Sequence, residues 1–121
     1  KMMVTNEAVI KNRKSVNVPG ASLKLKSLSD KDRAFIDFAI DNNLDFIAHS
    51  FVRNKEDVMA IQAILDARGS KIKVIAKIEN QEGVDNIDEI LDYAYGVMVA
   101  RGDLGIEIEA EKIPKISTIY C

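Results

Sequence analysis

Two short runs put charge where an apolar strand should carry none. In Ile72-Lys73-Val74-Ile75-Ala76-Lys77-Ile78-Glu79-Asn80 the first half is apolar and β-branched, as a buried strand requires, yet the end carries an ammonium and a carboxylate. Side chains alternate along a strand, so Lys77 and Glu79 share a face, with Ile75 one step deeper. The run Gly96-Val97-Met98-Val99-Ala100-Arg101-Gly102-Asp103 repeats the plan and is expected to carry Arg101 and Asp103 on one strand face. Arg53 adds a charge after an earlier apolar run. If the two strands are neighbours, Glu79 and Asp103 can share a hard divalent cation, whose usual partners are carboxylate, water and substrate oxygens. Lys77 then stands beside whatever anion the metal holds, a phosphate or a carboxylate. Gly102 and Gly105, flanking Asp103 and Leu104, would let backbone N–H groups turn toward that ligand. The plainer alternatives are an ordinary ion pair at a strand end and, for residues 101–103, a simple turn.

Composition narrows the chemistry. The chain has 121 residues, 47% hydrophobic and 30% charged, which suits an ordinary globular domain with one core. A formal net charge of -2, with basic residues scattered among acidic ones, gives no footprint for nucleic acid. No apolar run is long enough for a membrane span, and the start lacks the apolar core of a signal peptide, so a cytoplasmic location is expected. Cys121 is the only cysteine and His49 the only histidine, which leaves no thiolate cage, histidine zinc site or Ser-His-Asp triad. Catalysis must rest on lysine, carboxylates, arginine and backbone. His49 itself is read as a packed or hydrogen-bonded residue in the strand mouth rather than a base.

The elements that must position these residues follow from periodicity. Residues 2–10 are read as a strand, and Pro19-Gly20 as a turn closing a subdomain near Gly20. Ser29 is an N-cap with Asp32 as its capping-box acid, opening a helix whose inner stripe is expected to be Phe35, Phe38 and Ala39 with Ile36 and Ile40, up to a stop at Asn42-Asn43. A strand near 44–51 follows. Asn54 opens a second helix, with Asp57 as its acid and Gly69 as its C-terminal stop. A strand near 72–80, a third helix over 82–94 and a strand near 96–103 complete the order. Strands spaced by helices, without hairpin signals, predict an α/β fold of parallel βα units. A closed eight-stranded barrel needs about 200 residues or more, so these units form either a small open domain or part of a TIM (β/α)8 barrel.

The strings Ser15-Val16-Asn17-Val18-Pro19-Gly20, Ser50-Phe51-Val52-Arg53, Lys77-Ile78-Glu79-Asn80-Gln81-Glu82-Gly83, Asp88-Glu89-Ile90 and Met98-Val99-Ala100-Arg101-Gly102-Asp103-Leu104-Gly105 resemble, in order and spacing, the pyruvate kinase family. The resemblance runs from about residue 11 to 114. It implies a central TIM barrel and phosphoryl transfer from phosphoenolpyruvate to ADP, giving pyruvate and ATP in glycolysis, with Mg2+ or Mn2+ and usually K+. Glu79 and Asp103 would be the divalent-ion ligands and Lys77 the group stabilising the phosphoryl in transfer. The N–H groups of Gly102 and Asp103 would receive the substrate carboxylate, with Ser50 supporting Lys77. By the same resemblance, residues 1–20 are the end of a lid domain and its return linker, and 21–121 a partial, incomplete barrel. The K+ ligands would lie outside this chain, and full-length family members are usually homotetramers. A fragment of this kind is expected to lack turnover on its own, because the groups of a site do not act additively. Two alternatives stay open at this point: a metal-dependent aldolase or lyase barrel acting on pyruvate-type substrates, and a catalytically silent partial barrel that self-associates through open strand edges.

Overall fold

The computed structural model describes residues 3, 5–13, 18, 26–114 and 116. Helix α1 (Asp30–Asp41) begins with the expected capping box: Asp32 N donates to Ser29 Oγ at 3.2 Å and Ser29 N to Asp32 Oδ2 at 2.8 Å. It ends where Asn43 takes a φ of 51°, with the Leu44 and Asn43 N–H groups bonded back to Ala39 and Ile40 at 3.0 and 3.1 Å. Helix α2 (Lys55–Ala67) starts at Asn54, whose side chain accepts from Asp57 N at 3.1 Å. Gly69, at φ 61°, stops it in the same way, with Ser70 N bonded to Leu65 O at 2.9 Å and Gly69 N to Asp66 O at 3.0 Å.

Strands β1 (Phe46–His49), β2 (Lys73–Ile78) and β3 (Gly96–Val99) form one parallel sheet in sequence order. Ala48, Ile75 and Gly96 lie in one row across it, and His49, Ala76 and Val97 in the next. The α/β fold of parallel βα units is therefore present. Val74, Ala76 and Ile78 face the helices and pack into one core with Val58, Ile61, Leu65, Ile87 and Ile90. Each large side chain buried there contributes roughly 1.5–3 kcal/mol. The opposite face carries Phe46, Ile75, Lys77 and Met98. Phe46 and Met98 are exposed.

Several expectations change. Phe35 and Phe38 lie outside the inner stripe, both 60% exposed, and the buried face is Ile36 and Ala39. Ile36 and Ala39 join the core shared with α2, and in that orientation Arg68, which caps α2, reaches Asp37 at 2.7 Å and Asp41 at 3.0 Å. The third helix is two, α3 (Gln81–Asp85) and α4 (Ile87–Leu91), broken at Asn86, whose Nδ2 donates to Arg53 O at 2.9 Å. The last strand stops at Val99 rather than near 103. Arg101 and Asp103 stand in the first turn of helix α5 (Arg101–Glu107), not on one strand face. The physical reason is that β2 ends at Ile78: after Ala100 N bonds Ile78 O, no partner strand remains, and Leu104 N turns back to Ala100 O at 2.9 Å. The described residues 3 and 5–10 form no strand, and Val9 and Ile10 are exposed, since no neighbouring strand pairs with them among the described residues. The Pro19-Gly20 turn lies outside the described residues. No helix among the described residues is long and apolar enough to cross a membrane.

Candidate functional site

Lys77 is the fifth residue of β2, and Glu79 follows its last one, Ile78, so strand alternation turns both toward the helix-free face at the carboxyl end of the sheet. They meet: Lys77 Nζ lies 2.6 Å from Glu79 Oε1. Glu79 is only 1% exposed, which sets it apart from an ordinary surface ion pair. A carboxylate taken out of water needs compensation at both oxygens. The second comes from the loop after β1, where Phe51 N donates to Glu79 Oε2 at 2.7 Å. Ser50 Oγ completes the group, accepting from Lys77 Nζ at 3.2 Å.

The 50–53 loop is shaped for this. Phe51 has a φ of 55°, a left-handed conformation that costs a non-glycine residue about 1–2 kcal/mol. The residue is 56% exposed, so side-chain packing does little to offset that cost. The hydrogen bond that its N–H donates to Glu79 and the complete burial of Val52 work against it. Val52 N donates to Lys77 O at 3.3 Å, carrying the loop across the end of β2. From the other side, Gly83 packs so closely on the loop that a Cβ there would run into the Val52 carbonyl oxygen. Asn80 starts α3 by accepting from Gly83 N at 2.7 Å, which holds that glycine in place.

Arg53, one of the suspected charges, is engaged within the fold. Its Nε and Nη2 grip the Asp57 carboxylate, each at 3.0 Å, and its own N–H donates to Asp57 Oδ2 at 3.0 Å. Asp57 thus turns its carboxylate to Arg53 rather than back to the cap, and it raises the Arg53 guanidinium further above its usual value. His49 is half-buried on the helix-facing side of β1; burial lowers its imidazole below the ordinary value, with Asp57 and Asp32 pulling the other way.

Lys77, Glu79 and Ser50 are brought together as expected. Gly102 and Asp103 sit at the end of the neighbouring strand, exposed, with no hydrogen bond or ion pair linking them to that trio among the described residues. The first turn of a helix leaves its N–H groups without intrahelical acceptors, and Ala100 supplies no side-chain cap to α5. Space beside Gly102 is open: a Cβ built there would meet nothing within 4 Å. Sequence reasoning missed the Phe51 amide, the Arg53–Asp57 grip and Asn86. Its one signal was that the whole Ser50-Phe51-Val52-Arg53 string stood out, not Ser50 alone.

A family model described as "Pyruvate kinase, barrel domain" matches residues 1–119. The chain belongs to the pyruvate kinase family. Its three βα units are accordingly part of that family's barrel. It is 57% identical over 112 residues to a pyruvate kinase of Borreliella burgdorferi, covering 92% of this chain and 24% of that protein. Against a pyruvate kinase of Geobacillus stearothermophilus the identity is 55% over 117 residues, covering 96% of this chain and 20% of that protein. The chain thus spans about a fifth to a quarter of the length of the curated relatives it matches.

Proposed function

We propose that this segment supplies the phosphoryl-transfer wall of a pyruvate kinase, which moves the phosphoryl group of phosphoenolpyruvate to ADP. In that reaction the P–O bond to the enol oxygen breaks and one to an ADP oxygen forms, giving ATP, and the enolate left behind takes a proton from solvent at its methylene carbon to become pyruvate. The observation that carries the reading is the Lys77–Glu79 pair, 2.6 Å apart at the carboxyl end of a parallel sheet in a chain of this family. Phosphoryl transfer asks a protein mainly to position groups and neutralise charge. Lys77, 25% exposed and held from two sides by Glu79 and Ser50, directs its ammonium toward the phosphoryl oxygens. Gly102 and Asp103 offer uncapped N–H groups to the substrate carboxylate.

The donor set suits a hard divalent cation such as Mg2+ or Mn2+. Such ions take one or two carboxylates and complete their shell with water and substrate oxygens. Glu79 and Asp103 would supply the carboxylates. A carboxylate has about four lone-pair sites, so Glu79 keeps acceptor capacity beyond its bonds to Lys77 and Phe51. When bound, the cation supplies charge neutralisation on the phosphoryl oxygens. Its partners K+, ADP and the rest of the barrel would come from outside these residues, with 1–20 as the return from a lid domain and the enzyme acting in the cytoplasm. The chain alone would lack turnover.

The test is phosphoenolpyruvate-dependent ATP formation by the whole protein, with Mg2+ present and removed. Activity that disappears with the metal and falls by about 10²-fold or more in Glu79→Gln is expected. Full activity in Glu79→Gln would rule the reading out.

A further inference from the structure

Asn86 interrupts what would otherwise be one helix, and its side chain does no capping work at the start of α4. It reaches instead across 33 positions of sequence to the Arg53 carbonyl, at 2.9 Å. That carbonyl ends the loop whose other end holds the site. Within four residues, Ser50 Oγ meets Lys77, Phe51 N meets Glu79, Val52 N meets the Lys77 carbonyl, and Arg53 is gripped by Asp57 through its amide and its guanidinium. Asp57 is itself 4% exposed and fixed by the first turn of α2 through Asn54. The loop is thus anchored to α2 at Asp57 and to the α3–α4 break at Asn86, while its middle carries a left-handed Phe51, a conformation that surrounding contacts must hold.

We infer that Asn86, together with the Arg53–Asp57 pair, positions Glu79 and Lys77 for the reaction through the 50–53 loop. These are positioning residues: none of them touches the proposed substrate or metal. The inference rests on the pyruvate kinase reading of Lys77 and Glu79. Groups one step behind a metal-binding carboxylate commonly alter metal affinity or activity by about 10–100-fold when removed. Asn86 serves Glu79 in this way because the Phe51 amide that orients Oε2 depends on the loop keeping its turn.

The test uses the whole enzyme that contains this segment. Mn2+ binding is measured by electron paramagnetic resonance without substrate, and exchange of the Phe51 amide by deuterium labelling. In Asn86→Ala, Mn2+ binding is expected to weaken about tenfold and Phe51 exchange to speed up by a similar factor. Asn86→Asp, of the same size but lacking the donor, carries the same expectation and serves if the alanine variant does not fold. Ser29→Ala removes the remote capping box of α1; it is expected to lower the melting temperature and leave Mn2+ binding and Phe51 exchange as they were. Unchanged Mn2+ binding and Phe51 exchange in both Asn86 variants, beside weakened Mn2+ binding in Glu79→Gln, would overturn the positioning role alone. Unchanged Mn2+ binding in Glu79→Gln would instead overturn the metal reading beneath it. An equal loss of Mn2+ binding in Ser29→Ala would reduce Asn86 to a stability effect and overturn the inference.

Discussion

The ends of β2 and β3 carry similar residues and treat them in opposite ways. After β2, Glu79 is 1% exposed, both its oxygens have partners, and a loop from β1 is folded over it. After β3, Arg101, Gly102 and Asp103 stand exposed at the start of α5, with no side-chain cap and open space beside Gly102. Charge at a strand end becomes part of the fold when a neighbouring loop closes on it, and stays exposed when none does. Glu79 therefore serves the fold as well as the proposed chemistry, whereas Asp103 would serve the proposed chemistry alone.

That contrast can be broken by substitution, and the largest effect belongs to the closed side. Glu79→Ala takes the shared acceptor from the Lys77 ammonium, which keeps Ser50, and leaves the Phe51 amide unpaired; a loss of up to about 3 kcal/mol is expected, to be read from urea unfolding of the whole protein. Gly83→Ala drives a methyl group into the Val52 carbonyl, and a loss of about 1–3 kcal/mol is expected, with parental stability arguing that the loop is not held against α3. His49 gives a smaller, pH-dependent effect. Its folded-state value lies below the ordinary 6.5, so its contribution is present above about pH 6.5 and is lost as pH falls toward the depressed value. His49→Gln should flatten the stability profile in that window, and identical profiles would show that the imidazole is not buried. Asp103→Asn is the smallest: stability should stay within about 0.5 kcal/mol while ATP formation falls, and a large loss of stability would mean that α5 is closed over as Glu79 is.

Much of this was legible in the sequence because it is local. The caps at Ser29 and Asn54, the left-handed stops at Asn43 and Gly69, and the shared face of Lys77 and Glu79 depend on residues within a few positions of one another. The parallel order of the strands followed from their helical spacers. What escaped depends on residues distant in sequence. The α1 stripe contains two apolar rows, and only packing against the distant core with α2 turns Ile36 inward and leaves Phe35 outside, an orientation the Arg68 pairs to Asp37 and Asp41 accompany. The break at Asn86 needs the Arg53 carbonyl, 33 positions away, and the end of β3 needs the end of β2. At the site, side-chain chemistry was visible but the Phe51 amide was not, since every residue has one and only the fold says where it points.

The most direct measurement is the rate of phosphoenolpyruvate-dependent ATP formation by the whole protein carrying Lys77→Met, with divalent-metal binding followed alongside. The proposed function predicts a kcat lower by about 10²-fold or more while Mn2+ still binds, because in that proposal the ammonium serves the phosphoryl group and Glu79 holds the metal. An unchanged kcat in Lys77→Met would contradict it.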